Sequence, residues 1–579
     1  MDVHPARIGV GEPIPGVVYP EPSRLAGYIE DNILGFKSLA EALRESFARN
    51  AGRLALAGPQ GEVTYAELDE ITDRLAIAFL RLGARPLDRV MFQIANCNEV
   101  ICAILACIKA QLIPVCTLAA HREQEIGYLA RHASARLHII SGADAKFDDL
   151  AFARGMQRHA PSLRHIVQAQ GEGKPDAPSF ADLMKSVSAA EARQEIDRLR
   201  YDPFQVVLFQ LSGGTTGVPK IIPHFHNASL LTMQATADWY DYRAGDRIFN
   251  PLPMLHNLNM SCFYGPALLR GATFIVAPNV LPDTLVSAFK TYRPTWSFLS
   301  GPIIARIEGA VRDGTIDFRD ARGIVAPNNA PGLRAMLGAP VYHQYGMTEG
   351  TLTGTREGDP GEAIDFTVGR PFIPSSRVRI MQPGTEEEIE GEDMGESVVD
   401  GPYTCPGYFD AVDRNREAFT SDGAYRTGDL VRRRVIDGMP QFVFCGRIKD
   451  VVDRGGEKIN SEEVEWACNA HPSIAATAVI GMPDAAYGER VCAFIIPRDD
   501  QTAPSVTELG QFLKTHGLAK FKWPERVEAV TEFPVTRSGK LLKAELRRII
   551  REKLAGEAGD LDPKEARPRS KPSVELNRA

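Results

Sequence analysis

Ten residues, Leu211–Lys220 (LSGGTTGVPK), set two adjacent glycines, two threonines and a third glycine ahead of Pro-Lys. Backbone without Cβ atoms lets amide N–H groups converge on an anion. Ser212, Thr215 and Thr216 add hydroxyl donors, and Lys220 adds a positive charge. The chemistry that fits this composition is the holding of phosphate. A Walker loop needs glycine directly before lysine and Ser or Thr directly after it. Here Val218-Pro219 separates Gly217 from Lys220 and Ile221 follows, so that reading fails. A plain surface turn and a phosphate loop of another kind both stay open from this stretch alone.

Four further segments carry residues suited to chemistry. In Gln344–Gly350 (QYGMTEG) the expected position of Glu349, just past a strand end and beside glycine, suits Mg²⁺ held through oxygen. The alternative is a helix start with Thr348 as its cap and Glu349 in the first turn. In Tyr425–Asp429 (YRTGD) an aspartate on a glycine turn could accept hydrogen bonds from both ribose hydroxyls, although Gly-Asp is also an ordinary turn. Gly446–Asp450 (GRIKD) and Arg454–Lys458 (RGGEK) fall where the composition changes, and glycine there would supply hinge freedom. Pro534–Lys540 (PVTRSGK) ends on a glycine-loop lysine, which in isolation reads as a solvated charge.

The elements that must position these residues follow from hydrophobic periodicity. With 579 residues the chain exceeds one hydrophobic core, so at least two domains are expected. Its 44% hydrophobic and 24% charged residues are those of a soluble globular protein. A net charge of -8 argues against a nucleic-acid binder that works through a basic surface. The N-terminal residues lack an apolar signal-peptide core. Val100–Cys116, broken by Lys109 and Gln111, is too short to span a bilayer and reads as a buried helix running into a strand. Nine cysteines without a C-x-x-C pair fit neither a disulfide framework nor a zinc site, and a cytoplasmic location is the expectation.

A helix is predicted from Tyr65 to Leu82 with Gly83 as its C-cap, then a strand over Arg89–Ile94. Short buried strands are predicted at Val206–Leu211, Ala272–Ala277, Trp296–Leu299, Gly323–Ala326 and Val341–Tyr345. Alternation with helices makes the fold class α/β: a large N-terminal domain of parallel-rich sheets covered by helices. After Gly446 a small α+β domain is expected, with helix Ser461–Asn469, strands Ala475–Ile480 and Val491–Ile496, and a helix from Val506. Residues 556–579, poor in apolar groups, are expected to form a disordered tail.

In order and spacing the five motifs resemble those of the adenylate-forming superfamily, which includes acyl-CoA synthetases, luciferases and peptide-synthetase adenylation domains. The resemblance runs from about residue 35 to residue 555. It implies ATP and Mg²⁺ as cofactors and a reaction in which a carboxylate joins the α-phosphate of ATP with release of pyrophosphate. It implies that Ser212, Gly213, Gly214, Thr215, Thr216, Gly217 and Lys220 grip the β,γ-phosphates, while Tyr345, Gly346 and Thr348 lie at the nucleotide. It further implies that Glu349 holds Mg²⁺, Asp429 and Arg447 bind the ribose, and Lys540 bridges carboxylate and α-phosphate. The domains implied are 1–446 for adenylation, a hinge at 447–450 and a mobile lid at 451–555. The lid would rotate about Lys449, withdrawing Lys540 and bringing Gly455-Gly456 to the site for attack by a thiol.

Within the superfamily the likeness is greatest to stand-alone aryl-acid AMP ligases of siderophore assembly. It is carried by Gln210–Gly214, Ile222–His224, Pro253–Asn257, Gly401–Thr404 and Arg454–Lys458. By that likeness the His256–Asn257 pair closes the acid pocket, and Asn257 bonds the carboxylate and ortho-hydroxyl of the acid. Cys262 stands where serine goes with 2,3-dihydroxybenzoate and cysteine often with salicylate; a packing role for Cys262 stays open. One departure is Ala326–Pro331 (APNNAP) in place of a Gly-Gly-Ala loop: Asn328 and Asn329 are expected to keep the loop shape but to narrow the pocket or make it more polar. Another small cyclic acid is therefore an open alternative. The thiol is that of phosphopantetheine on a separate carrier protein or of free coenzyme A. A non-catalytic nucleotide-binding relative is disfavoured by the joint presence of Glu349, Asp429, Arg447 and Lys540.

Overall fold

The structure is a computed structural model that describes residues 8–142, 147–212, 219–327, 329–455, 457–498, 500–535 and 541–559. The chain divides into two compact units, 1–444 and 445–579.

In the first unit a six-stranded sheet runs in the order His165–Gln168, Leu137–Ile140, Arg89–Gln93, Ile113–Val115, Val206–Ser212, Lys220–Phe225. Neighbours are parallel except the last pair, which is antiparallel. A nine-stranded sheet carries the strands Leu54–Gly58, Thr273–Ile275, Arg247–Phe249, Trp296–Phe298, Gly323–Ala326 and Val341–Met347 side by side and parallel, with antiparallel strands on both edges. The strands expected over 272–277 and 296–299 are shorter, because only three residues of each meet the pairing geometry of their neighbours.

Local sequence explains the helices that cover these sheets. Thr64 and Glu67 form a reciprocal capping box at the start of helix Tyr65–Arg81, and Gly83 follows its end at φ +111°. Helix Asn98–Lys109 is buried on nearly every side, as its apolar run demands, and leads into Ile113–Val115. Its one buried cation, Lys109, donates to Asp69 Oδ1 and Asp73 Oδ1, each at 2.6 Å. Burial of that ammonium is tolerable only because two carboxylates on the facing helix satisfy it.

A third, antiparallel sheet joins Arg377–Met381, Gly395–Asp400, Tyr425–Ile436 and Met439–Arg447. Its last hairpin turns at Asp437-Gly438, where φ is +50° and +75°, the pair of left-handed angles that a tight two-residue hairpin requires.

The second unit is α+β. Its sheet orders Glu457–Ile459, Val452–Arg454, Gly488–Pro497 and Ile474–Asp484, and Arg526–Ala529 pairs in parallel with Gly488–Pro497. Helices Ser461–Asn469 and Val506–Thr515 pack with Val452, Val464, Val479, Val491 and Leu513 in one core. Gly455 lies at φ +61° in the turn between two short strands, and Gly456 is outside the described residues. The last helix, Lys543–Gly559, continues into the range expected to be a tail, and Glu557 pairs with Arg526 at 2.6 Å. Residues 560–579 lie outside the described residues.

Candidate active site

The strand Val206–Ser212 pairs antiparallel with Lys220–Phe225, with Ser212 directly opposite Lys220. Gly213, Gly214, Thr215, Thr216 and Gly217 lie outside the described residues, as do Asn328 and Lys540.

Tyr345, Gly346 and Met347 close the strand Val341–Met347, which pairs antiparallel with Thr351–Gly354. Thr348-Glu349-Gly350 is therefore the turn of a β-hairpin, and the alternative of a helix capped by Thr348 is excluded. Gly350 has φ +113°, and a Cβ there would lie 2.4 Å from the Tyr403 carbonyl oxygen. Only glycine allows that approach. The turn is anchored to the neighbouring sheet by His224, whose Nε2 lies 2.9 Å from the Thr348 carbonyl oxygen. Burial lowers the pKa of His224 to about 4, so at neutral pH Nε2–H donates to that carbonyl.

Glu349 is buried, with 6% exposure, and its Oε1 accepts from the Tyr408 hydroxyl at 2.8 Å. The same phenol oxygen lies 3.2 Å from Lys220 Nζ and 3.2 Å from the Tyr425 hydroxyl. Lys220 also rests over the Tyr408 ring, 4.5 Å from its centroid. Burial pulls the Lys220 ammonium pKa down while the Glu349 carboxylate counteracts it. Burial, reinforced by the same carboxylate, pushes the Tyr408 phenol far above its ordinary range.

Asp429 is 5% exposed and accepts from the Tyr345 hydroxyl through Oδ2 at 2.8 Å. Gly428 at φ +69° turns the chain there, and Thr427 Oγ1 accepts from the Asp429 amide at 3.0 Å. The hairpin residue Tyr345 thereby links the Glu349 turn to the Asp429 turn. Arg447 and Lys449 belong to the 445–579 unit, where the Lys449 carbonyl accepts from Arg547 at 3.2 Å.

Of the acid-pocket candidates, Cys262 adjoins this cluster through Gln344. Its Nε2 donates to Cys262 Sγ at 3.2 Å, and its Oε1 accepts from the Tyr240 hydroxyl at 3.1 Å. Cys262 is buried in a widened helical turn, Met260–Tyr264, in which the Gly265 amide bonds back to the Met260 carbonyl five residues earlier. Burial pushes the Cys262 thiol up to about 12, which makes it a neutral, weakly polar surface and no nucleophile. Asn257 Oδ1 accepts from Ser261 at 2.8 Å, and His256 Nδ1 accepts from the Leu258 amide at 3.3 Å. Asn329 adopts φ +57°, the left-handed conformation expected of it. Its exposed amide lies over Gly332, 2.7 Å from where a Cβ would stand, in the first turn of helix Ala330–Leu337.

Sequence reasoning missed Tyr408, Gln344 and Tyr240. Gln344 abuts the Tyr-Gly-x-Thr-Glu motif and was within reach, whereas nothing in the local pattern around Tyr408 or Tyr240 marks either residue.

These neighbourhoods match a known family model: residues 43–409 fit the AMP-binding enzymes, and residues 463–540 fit the C-terminal domain of the same enzymes. The chain belongs to the AMP-binding enzymes. It is an ATP-dependent, adenylate-forming ligase. Among relatives of this family, the 2,3-dihydroxybenzoate-AMP ligase of Bacillus subtilis is 34% identical, with 92% of this chain and 98% of that one covered. The salicyl-AMP ligase / salicyl-S-ArCP synthetase of Mycobacterium tuberculosis is also 34% identical, with coverage of 91% and 93%. Among solved AMP-binding enzymes, the apo structure of Mycobacterium smegmatis MbtA superposes with a TM-score of 0.69 at 30% identity, over 92% of this chain and 98% of that one. An anthranilate CoA ligase, AuaEII, shares the fold with a TM-score of 0.79 at 22% identity, over 90% and 98%. No helix among the described residues is long and apolar enough to cross a membrane.

Proposed function

We propose that this enzyme activates a small aryl acid as its acyl-AMP and passes the acyl group to the phosphopantetheine thiol of a separate carrier protein. The observation that carries the reading is the run of direct contacts from Cys262 through Gln344 and Tyr345 to Asp429. An acid pocket and a sugar-binding carboxylate are thereby neighbours on one strand end, as the joining of an acid to a nucleotide requires.

In the first step a carboxylate oxygen of the acid bonds to the α-phosphorus, and the bond from that phosphorus to the bridging oxygen breaks with release of pyrophosphate. Asn257, its Oδ1 committed to Ser261, offers its amide N–H groups to the carboxylate. By the family resemblance, Lys220 and the glycine-threonine stretch supply positive charge and donors to the phosphates, Asp429 and Arg447 bind the ribose hydroxyls, and Lys540 bridges the carboxylate and the α-phosphate. Glu349 fits a Mg²⁺ ion, which takes one or two carboxylates together with substrate phosphates; among the described residues no three acidic, histidine or cysteine side chains form a protein cage. Bound there, Mg²⁺ would neutralise phosphate charge. In the second step the thiol sulfur bonds to the acyl carbon, AMP leaves, and the thiol proton passes to solvent.

ATP–pyrophosphate exchange over a panel of aryl, heteroaryl and alicyclic acids tests the first step. Exchange with an aryl acid is expected; exchange with none of them overturns the reading. AMP release on adding a phosphopantetheine-loaded carrier, compared with free coenzyme A, decides the acceptor.

A further inference from the structure

Tyr408 belongs to none of the recognised motifs, yet its phenol stands between two residues of opposite charge. A phenol has one O–H and two lone pairs. Its proton goes to Glu349 Oε1, which only accepts, while the Lys220 ammonium, which only donates, gives a hydrogen bond to the phenol oxygen; the Tyr425 hydroxyl lies 3.2 Å away. The residue is 1% exposed. The backbone is fixed as firmly. Asn415 accepts from the Tyr408 amide at 2.7 Å and donates to its carbonyl at 3.0 Å. The next amide, of Phe409, donates at 3.0 Å to Ile221, the neighbour of Lys220, and the Asp410 amide donates at 2.8 Å to Gly16.

An ammonium and a carboxylate in a partly dry site attract each other strongly and would form a direct ion pair unless something stood between them. We propose that Tyr408 is a positioning residue that acts as a neutral spacer, bonding Lys220 and Glu349 at once so that they do not pair with each other. Held this way, Lys220 keeps its charge for phosphate and Glu349 keeps its charge for the metal ion. The inference rests on the assignment of Glu349 to Mg²⁺ given above.

Tyr408→Phe keeps the ring and removes the spacer's hydroxyl. The Mg²⁺ concentration that half-saturates ATP binding, read by calorimetry, is expected to rise about 10-fold, as for loss of a group that orients a metal ligand. The KM for the acid and the thermal midpoint should stay unchanged. Adding Lys220→Met to Tyr408→Phe frees Glu349 and should restore the Mg²⁺ requirement while ATP binding stays weak; a merely structural role predicts no such recovery. An unchanged Mg²⁺ requirement in Tyr408→Phe, or no recovery in the double variant, overturns the spacer. A Glu349→Gln enzyme with normal Mg²⁺ dependence instead overturns the metal assignment on which it rests. Should Tyr408→Phe not fold, Tyr408→Met, which also removes the hydroxyl, is read in the same titration, where no shift overturns the proposal.

Discussion

At the scale of single residues, Cys262 and Gln344 are the side chains proposed to set the polarity of the acid pocket. The thiol accepts one bond from Gln344 and offers a substrate little more than a weak partner. Cys262→Ser places a strong donor and acceptor at the same spot. We expect the ratio of kcat/KM for 2,3-dihydroxybenzoate over salicylate to rise about 3- to 10-fold, the worth of one hydrogen bond, in pyrophosphate exchange. Parallel changes for both acids would mean that Cys262 only packs. For Lys540, placed by family resemblance at the transferring phosphoryl group, Lys540→Ala should lower exchange by about 10²–10³ with an unaltered thermal midpoint. Full exchange in that variant would remove the lysine from the reaction.

At the scale of elements, the buried charges between helices Tyr65–Arg81 and Asn98–Lys109 couple the two. Lys109 is 2% exposed, and its partners Asp69 and Asp73 also bond Arg193 on the short helix Ala189–Ile196. Lys109→Met would leave two buried carboxylates to one half-exposed guanidinium, at a cost of about 3–5 kcal/mol. Urea denaturation should register this as a lower midpoint with an unchanged slope. These helices were legible because their periodicity and caps are local. So were the strands Val206–Ser212 and Gly323–Ala326, whose apolar runs stand between turn signals. The long hairpin Tyr425–Ile436 and Met439–Arg447 escaped notice although Asp437-Gly438 marks its turn, because the run Arg432-Arg433-Arg434 interrupts the apolar pattern of its first strand. The turn at Glu349 stayed undecided, since a capped helix and a hairpin turn share the Thr-Glu-Gly composition; pairing with Thr351–Gly354 decided it.

At the scale of the whole molecule, stability against acid is set by histidines buried without charge. Burial lowers His138 to about 4 and His226 to about 3, and among the described residues neither His138 ring nitrogen nor His226 Nδ1 has a hydrogen-bond partner. Their ordinary pKa is about 6.5, so below that value the unfolded chain binds protons that the folded chain refuses. Their contribution is present above pH 6.5 and is lost as pH falls toward the folded values. By pH 5 each should cost about 2 kcal/mol. A chemical-denaturation midpoint that does not fall between pH 7 and pH 5 would contradict this, and His138→Phe should flatten the dependence.

The sequence by itself determined the α/β class, the change of character near residue 446 and the identities of the charged groups, because periodicity, glycine placement and residue chemistry are properties of short stretches. Tertiary structure alone decided which of those groups meet. Tyr408 reaches Glu349 across 59 residues and Lys220 across 188, and Gln344 reaches Cys262 across 82. No local pattern encodes such distances: they arise where strands far apart in the chain end side by side, and there a buried phenol, amide or thiol must find its partner in another part of the fold.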